Sequence, residues 1–146
     1  MSRRVLVIDD EPDILRLVRL ALEFKGGYRV FVADDPREGL VQAKLLQPDL
    51  ILLDVLMPGL SGYEVLDRLR RDPRTARIPV VLLTARAQKR EIQEGLQRDV
   101  IGYITKPFEA LRLVEVLEEM LQFAQGLEAS SSPGPALSSS QSGSST

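Results

Sequence analysis

Four apolar runs in this chain stop at residues that could hold a metal and a phosphoryl group. Val5 to Ile8 stops at Asp9 and Asp10, and Leu50 to Leu53 stops at Asp54. Val80 to Leu83 stops at Thr84, and Ile101 to Thr105 stops at Lys106, which Pro107 follows. Runs this short and rich in Val, Ile and Leu read as buried strands. Ligands of an open parallel sheet bind outside the carboxyl ends of its strands. If these runs are neighbours, three carboxylates, a hydroxyl and an ammonium share one crevice. Carboxylates suit a divalent metal, and a cation with a hydroxyl suits a phosphoryl group.

Each residue also has a plainer reading. Asp10-Glu11-Pro12 looks like a helix start, so one of the two acids can cap a helix while the other faces the crevice. Magnesium takes hard oxygen ligands and often only one or two carboxylates. Asp10 and Asp54 as direct ligands, with Asp9 bound through water, fit that habit. Asp54 is either a strand-end cap or a nucleophile toward phosphorus, forming an aspartyl phosphate. Lys106 is either a solvated loop lysine or a point charge for a phosphoryl oxygen. The proline after it permits a cis bond. Thr84 is either one more β-branched strand residue or a hydroxyl donor, with small Ala85 beside it leaving room.

The elements that must position these residues alternate. Strands are expected at 4–8, 28–33, 50–53 and 80–83, with a short fifth strand before Lys106. Helices are expected at 12–24, from Asp34 or Asp35 to about 46, at 63–71, at about 87–97 and at about 108–125. Gly26-Gly27, Pro48, Asp72-Pro73 and Pro79 punctuate them, and 57–62 is a loop. Strands separated by helices imply right-handed βαβ units and a parallel sheet. Five units give a three-layer, doubly wound α/β sandwich, since an eight-fold barrel needs about 250 residues. Periodicity does not order the strands.

Composition narrows the function classes. The chain has 146 residues, a net charge of −2, no cysteine and no histidine. Ser-His-Asp and Cys-His nucleophiles, disulfides, most zinc sites and a phosphohistidine of its own are therefore excluded. There is no basic field for nucleic acid and no apolar stretch near the ~20 residues of a membrane span. The first residues run straight into strand 1 without a signal peptide, so a soluble cytoplasmic protein is expected. Residues 1–125 read as one domain, and 126–146 as a disordered Ser/Gly/Pro-rich tail. The arginines at 68, 70, 71, 74 and 77 read as a solvated face interleaved with Asp67 and Asp72.

Asp-Asp, Asp, Thr-Ala and Lys-Pro at the ends of strands 1, 3, 4 and 5 form a specific combination. On these motifs, and over about residues 3–123, the chain resembles the receiver domains of two-component response regulators, in particular single-domain, chemotaxis-type receivers. The resemblance implies a flavodoxin-like five-stranded sheet of order 2-1-3-4-5. It implies Asp54 as phosphoacceptor and a histidine kinase or histidine phosphotransfer protein as donor. Asp9, Asp10, Asp54 and the Leu56 backbone carbonyl would hold Mg2+. Lys106 and Thr84 would serve the phosphoryl group, with Thr84 and Tyr103 as the switch pair.

Output is then expected through protein contacts of the helix at about 87–97, the fifth strand and the helix at about 108–125, with a homodimer as a further option and no direct nucleic-acid or membrane contact. Such a protein is a switch that catalyses only its own phosphorylation and dephosphorylation, not an enzyme that turns over a substrate. The alternative is a receiver-like binding module that works without phosphorylation. One departure stands out: Asp99-Val100 occupies the place of the usual Gly-Ala before strand 5, where a left-handed backbone suits Gly better than Asp.

Overall fold

A computed structural model describes residues 3–85 and 99–129 of the chain. The strands are β1 (Arg4–Ile8), β2 (Arg29–Ala33), β3 (Leu50–Asp54), β4 (Val80–Thr84) and β5 (Gly102–Thr105). The helices are α1 (Pro12–Gly26), α2 (Pro36–Leu46), α3 (Gly62–Arg71) and, at the C-terminal end, α4 (Ala110–Ala129). The helix expected at about 87–97 lies outside the described residues, as does the chain after 129. All strand pairs are parallel, in the order β2-β1-β3-β4-β5. The expected doubly wound, flavodoxin-like sheet is therefore the fold.

The strands read as unbroken apolar runs because both of their faces are covered. Val5, Val7, Leu50, Leu52, Val81 and Leu83 pack with Leu15, Val18 and Leu22 of α1 and Leu113, Leu117 and Leu121 of α4. The alternate residues Leu6, Ile8, Ile51, Leu53, Val80 and Leu82 pack with α2 and α3 through Leu40, Ala43, Val65, Leu66 and Leu69. β3 and β4 are buried at every position. Truncating a residue such as Leu52 to Ala should cost about 2–5 kcal/mol.

Local chemistry sets the helix ends. Asp35 caps α2, its side chain accepting from the Arg37 amide, and Pro36 opens the helix. Ser61 and Glu64 form a reciprocal capping box at the start of α3. α1 ends on Gly27 at φ 69°. Tyr28, just before β2, is buried and donates its hydroxyl to Glu118, 2.8 Å away.

α4 starts at Ala110 rather than Phe108, because the Glu109 carbonyl accepts the first-turn bond from the Arg112 amide. It continues past the expected end near Gln125 to Ala129, reaching the first residues assigned to the tail.

Candidate functional site

The carboxyl ends of β1, β3 and β4 and the turn after β5 converge, as the motif positions require. Asp9 is fully buried, Asp54 is 4% exposed, Thr84 4% and Lys106 9%. Polar groups this deep need partners. Lys106 Nζ lies 2.8 Å from Asp9 Oδ2, 2.8 Å from Glu11 Oε2 and 3.5 Å from Asp54 Oδ2. Asp9 Oδ1 accepts from the Glu11 amide at 2.9 Å, and Asp54 Oδ1 accepts from the Leu56 amide at 3.3 Å. The backbone closes the same crevice: the Lys106 amide donates to the Thr84 carbonyl at 2.6 Å, and the Lys106–Pro107 bond is cis. Asp9 Oδ2, although ion-paired to Lys106, has no hydrogen bond of good geometry.

Gly62 makes room beneath Asp54. A Cβ at position 62 would come within 2.3 Å of the Asp54 carbonyl oxygen and 2.8 Å of Val55 Cα. The loop after β3 can therefore fold back and bond the Gly62 amide to the Val55 carbonyl at 2.8 Å.

The electrostatics of the crevice are unbalanced. Asp9, Asp10, Glu11 and Asp54 carry four carboxylates against the one ammonium of Lys106, a formal charge of −3. Burial, then the charge of Asp9, pushes the Asp54 carboxyl up to about 7, with Lys106 pulling the other way. Burial also raises Asp9 against the pull of Lys106. Burial alone would lower the ammonium of Lys106, but Asp9, Glu11 and Asp54 outweigh it and hold Lys106 above its usual range. Buried acids held partly in their neutral form are short of positive charge.

The donor set fits a hard divalent cation. One carboxylate oxygen from each of Asp9, Glu11 and Asp54 lies within 4.8 Å of the others.

Sequence reasoning anticipated Asp9, Asp54, Thr84 and Lys106 as neighbours. Asp10 is half-buried and acts on Asp54 by its charge, but it stands outside the group of three close carboxylates. Glu11 takes that place and was missed, because Asp10-Glu11-Pro12 reads as a helix start. Glu11 is indeed the N-cap of α1, with no side-chain cap bond, so its carboxylate is available to Lys106. Leu56 offers its backbone beside Asp54 while its side chain is 63% exposed. Tyr103, on β5 opposite Leu82 of β4, is 38% exposed.

Comparison with known proteins agrees with this geometry. The response regulator receiver domain family matches residues 5–118, and the chain belongs to that family. It is 44% identical over 124 residues to the DNA-binding dual master transcriptional regulator RpaA of Synechocystis, covering 85% of this chain and 48% of that protein. The chain spans about half the length of the first curated relatives it matches. PilH of Pseudomonas aeruginosa is 31% identical over 118 residues, 81% of this chain and 97% of its own length. The solved chemotaxis response regulator CheY4 of Vibrio cholerae superposes with a TM-score of 0.77 at 31% identity, over 82% of this chain and 99% of that one. Receiver domains are switches of two-component signalling rather than classical enzymes, and they typically bind Mg2+. No helix among the described residues is long and apolar enough to cross a membrane.

Proposed function

We propose that the chain is a phosphorylation-activated receiver whose phosphoacceptor is Asp54. The observation that carries this reading is the buried carboxylate of Asp54 at the end of β3, 3.5 Å from Lys106 in a crevice short of positive charge. In the reaction a carboxylate oxygen of Asp54 attacks phosphorus. The P–N bond of a phosphohistidine donor breaks, its electron pair stays on the imidazole, and a P–O bond to Asp54 forms. Transfer of this kind depends mainly on positioning and charge neutralisation. Lys106 supplies one fixed cation for the phosphoryl oxygens, and the Thr84 hydroxyl a donor.

Asp9, Asp10, Asp54 and the Leu56 carbonyl would hold Mg2+, with Glu11 beside them on the acidic rim. The ion, when bound, would supply two of the three positive charges the crevice lacks. Deprotonating Asp54, whose carboxyl sits at about 7 without metal, is favoured by that added charge.

Thr84 and Tyr103 are the proposed switch. Thr84 turns toward the phosphorylated Asp54, and the half-exposed Tyr103 turns inward, changing the surface formed by β5 and α4. The donor would be a histidine kinase or a histidine phosphotransfer protein in the cytoplasm, and the output a protein contact.

The test is intact mass after incubation with acetyl phosphate and magnesium, beside Asp54→Asn and a magnesium-free control. One phosphoryl adduct, absent from both controls, is expected. A folded wild-type chain that takes no adduct would instead support the binding module that works unmodified.

A further inference from the structure

Arg70 sits where three pieces of chain meet. It lies half-buried in the last turn of α3. Its Nη1 donates to the carbonyls of Ala76 at 3.1 Å and Ile78 at 2.9 Å. Its Nη2 donates to the carbonyl of Asp99 at 3.0 Å. Its Nε is buried without a hydrogen bond, 4.0 Å from Asp99 Oδ2.

Asp99 is the residue found where the family usually has glycine, and it holds the left-handed backbone expected there, at φ 66°. Its side chain is 92% exposed, so its ion pair with Arg70 contributes little. What Arg70 grips firmly is the backbone.

The gripped carbonyls have a common consequence. Ile78 lies two residues before β4, and Asp99 three residues before β5. Between them, the Ile101 amide donates to the Val80 carbonyl at 3.0 Å. β5 is a four-residue strand at the edge of the sheet, with β4 as its sole neighbour among the described residues. Few ladder bonds therefore hold its register. At the far ends of these two strands stand Thr84 and Lys106.

We propose that Arg70 is a positioning residue for the phosphoryl site: by clamping the lead-ins to β4 and β5 at one edge of the sheet, it sets how Thr84 and Lys106 align at the other. This rests on the roles given to Thr84 and Lys106 under the proposed function. A planar guanidinium can bond several carbonyls at once from its fixed fork, whereas an ammonium is a point charge that cannot span them in the same way. Asp99→Gly retains the gripped carbonyl and so should retain the clamp.

The experiment uses the full chain as Arg70→Met, Arg70→Lys and Asp99→Gly. Tyr28→Phe, which removes the Tyr28–Glu118 bond between the start of β2 and α4, is the control for general destabilisation. Backbone amide hydrogen exchange is read at every strand, and the rate of adduct formation is read with acetyl phosphate and magnesium. In Arg70→Met, exchange at Ile101 and Lys106 should rise about threefold to thirtyfold relative to Leu6 and Ile51, with adduct formation slowed by a similar factor. Arg70→Lys should recover part of both, and Asp99→Gly should match the wild type.

Unchanged exchange at Ile101 and Lys106 in folded Arg70→Met would overturn the proposal. So would a uniform rise across all strands, or equal slowing of the adduct in Tyr28→Phe. A wild-type chain that forms no adduct fails the phosphoacceptor reading instead, and the exchange pattern then decides the clamp by itself.

Discussion

At the carboxyl edge of the sheet, four carboxylates face one ammonium; at the amino edge, arginines meet carbonyls and single acids nearby. Arg4 shows the second pattern: its amide bonds Asp49 at 2.7 Å and its guanidinium the Gln47 carbonyl at 3.2 Å. Arg74 pairs with Asp72 at 3.0 Å, and Arg70 holds three carbonyls. Most of the charges named at that edge are met by carbonyls or single acids in place, and cations there also suit the ends of α2 and α3. The carboxyl edge is left with a deficit that nothing among the described residues removes. Charge that a fold leaves uncompensated in a buried crevice points to a ligand, whereas compensated charge points to structure.

The largest test of this contrast is chemical. Asp54→Asn should abolish the phosphoryl adduct seen by intact mass, while Asp72→Asn should leave it at the wild-type level. An adduct persisting in Asp54→Asn would place the acceptor elsewhere.

Magnesium comes next. At a concentration near 100 times its Kd it should stabilise the fold by about 2.7 kcal/mol, read as a rise in Tm. Asp9→Asn should lose most of that rise, and Asp72→Asn should keep it. Equal shifts in both variants would move the metal out of the crevice.

A smaller effect concerns pH in the metal-free protein. Asp54 titrates at about 7 when folded, above the ~3.9 of an unfolded aspartate. A raised carboxyl favours the protonated folded state, so its contribution is fully present below about pH 4 and is lost as pH rises to about 7. Asp9 shifts in the same direction. Lys106, raised from an already high value, titrates outside this window. Denaturation between pH 4 and 8 should therefore show falling stability, by roughly 1–3 kcal/mol, and Asp54→Asn should flatten the curve. A wild-type profile that is flat or rises across the window would contradict the charge deficit.

The smallest effect is expected at the amino edge. Asp72 and Arg74 are a solvent-screened pair, and Arg74→Ala should leave Tm within experimental error. A clear loss there would show that compensation at this edge contributes more to the fold than exposed ion pairs do.

How much was legible beforehand follows from the range of the interactions. Strands β1, β3 and β4 were visible as apolar runs because covering both faces demands them, and Asp35-Pro36 announced α2 by contacts within one turn. Glu11 and Arg70 were misjudged for the opposite reason. Glu11 meets Lys106 across 95 residues, and Arg70 meets Asp99 across 29. Neither pairing leaves a mark in local spacing.

By itself the sequence determined the alternation of elements, the acids and the lysine at strand ends, and the absence of thiol and imidazole chemistry. These follow from period, turn chemistry and residue type. The tertiary structure alone decided that the Glu11 carboxylate comes close to those of Asp9 and Asp54, that Gly62 clears space under Asp54, and that Arg70 ties the amino ends of β4 and β5 together. Side-chain direction and close approach depend on neighbours distant in the chain, and only the packed sheet brings those neighbours together.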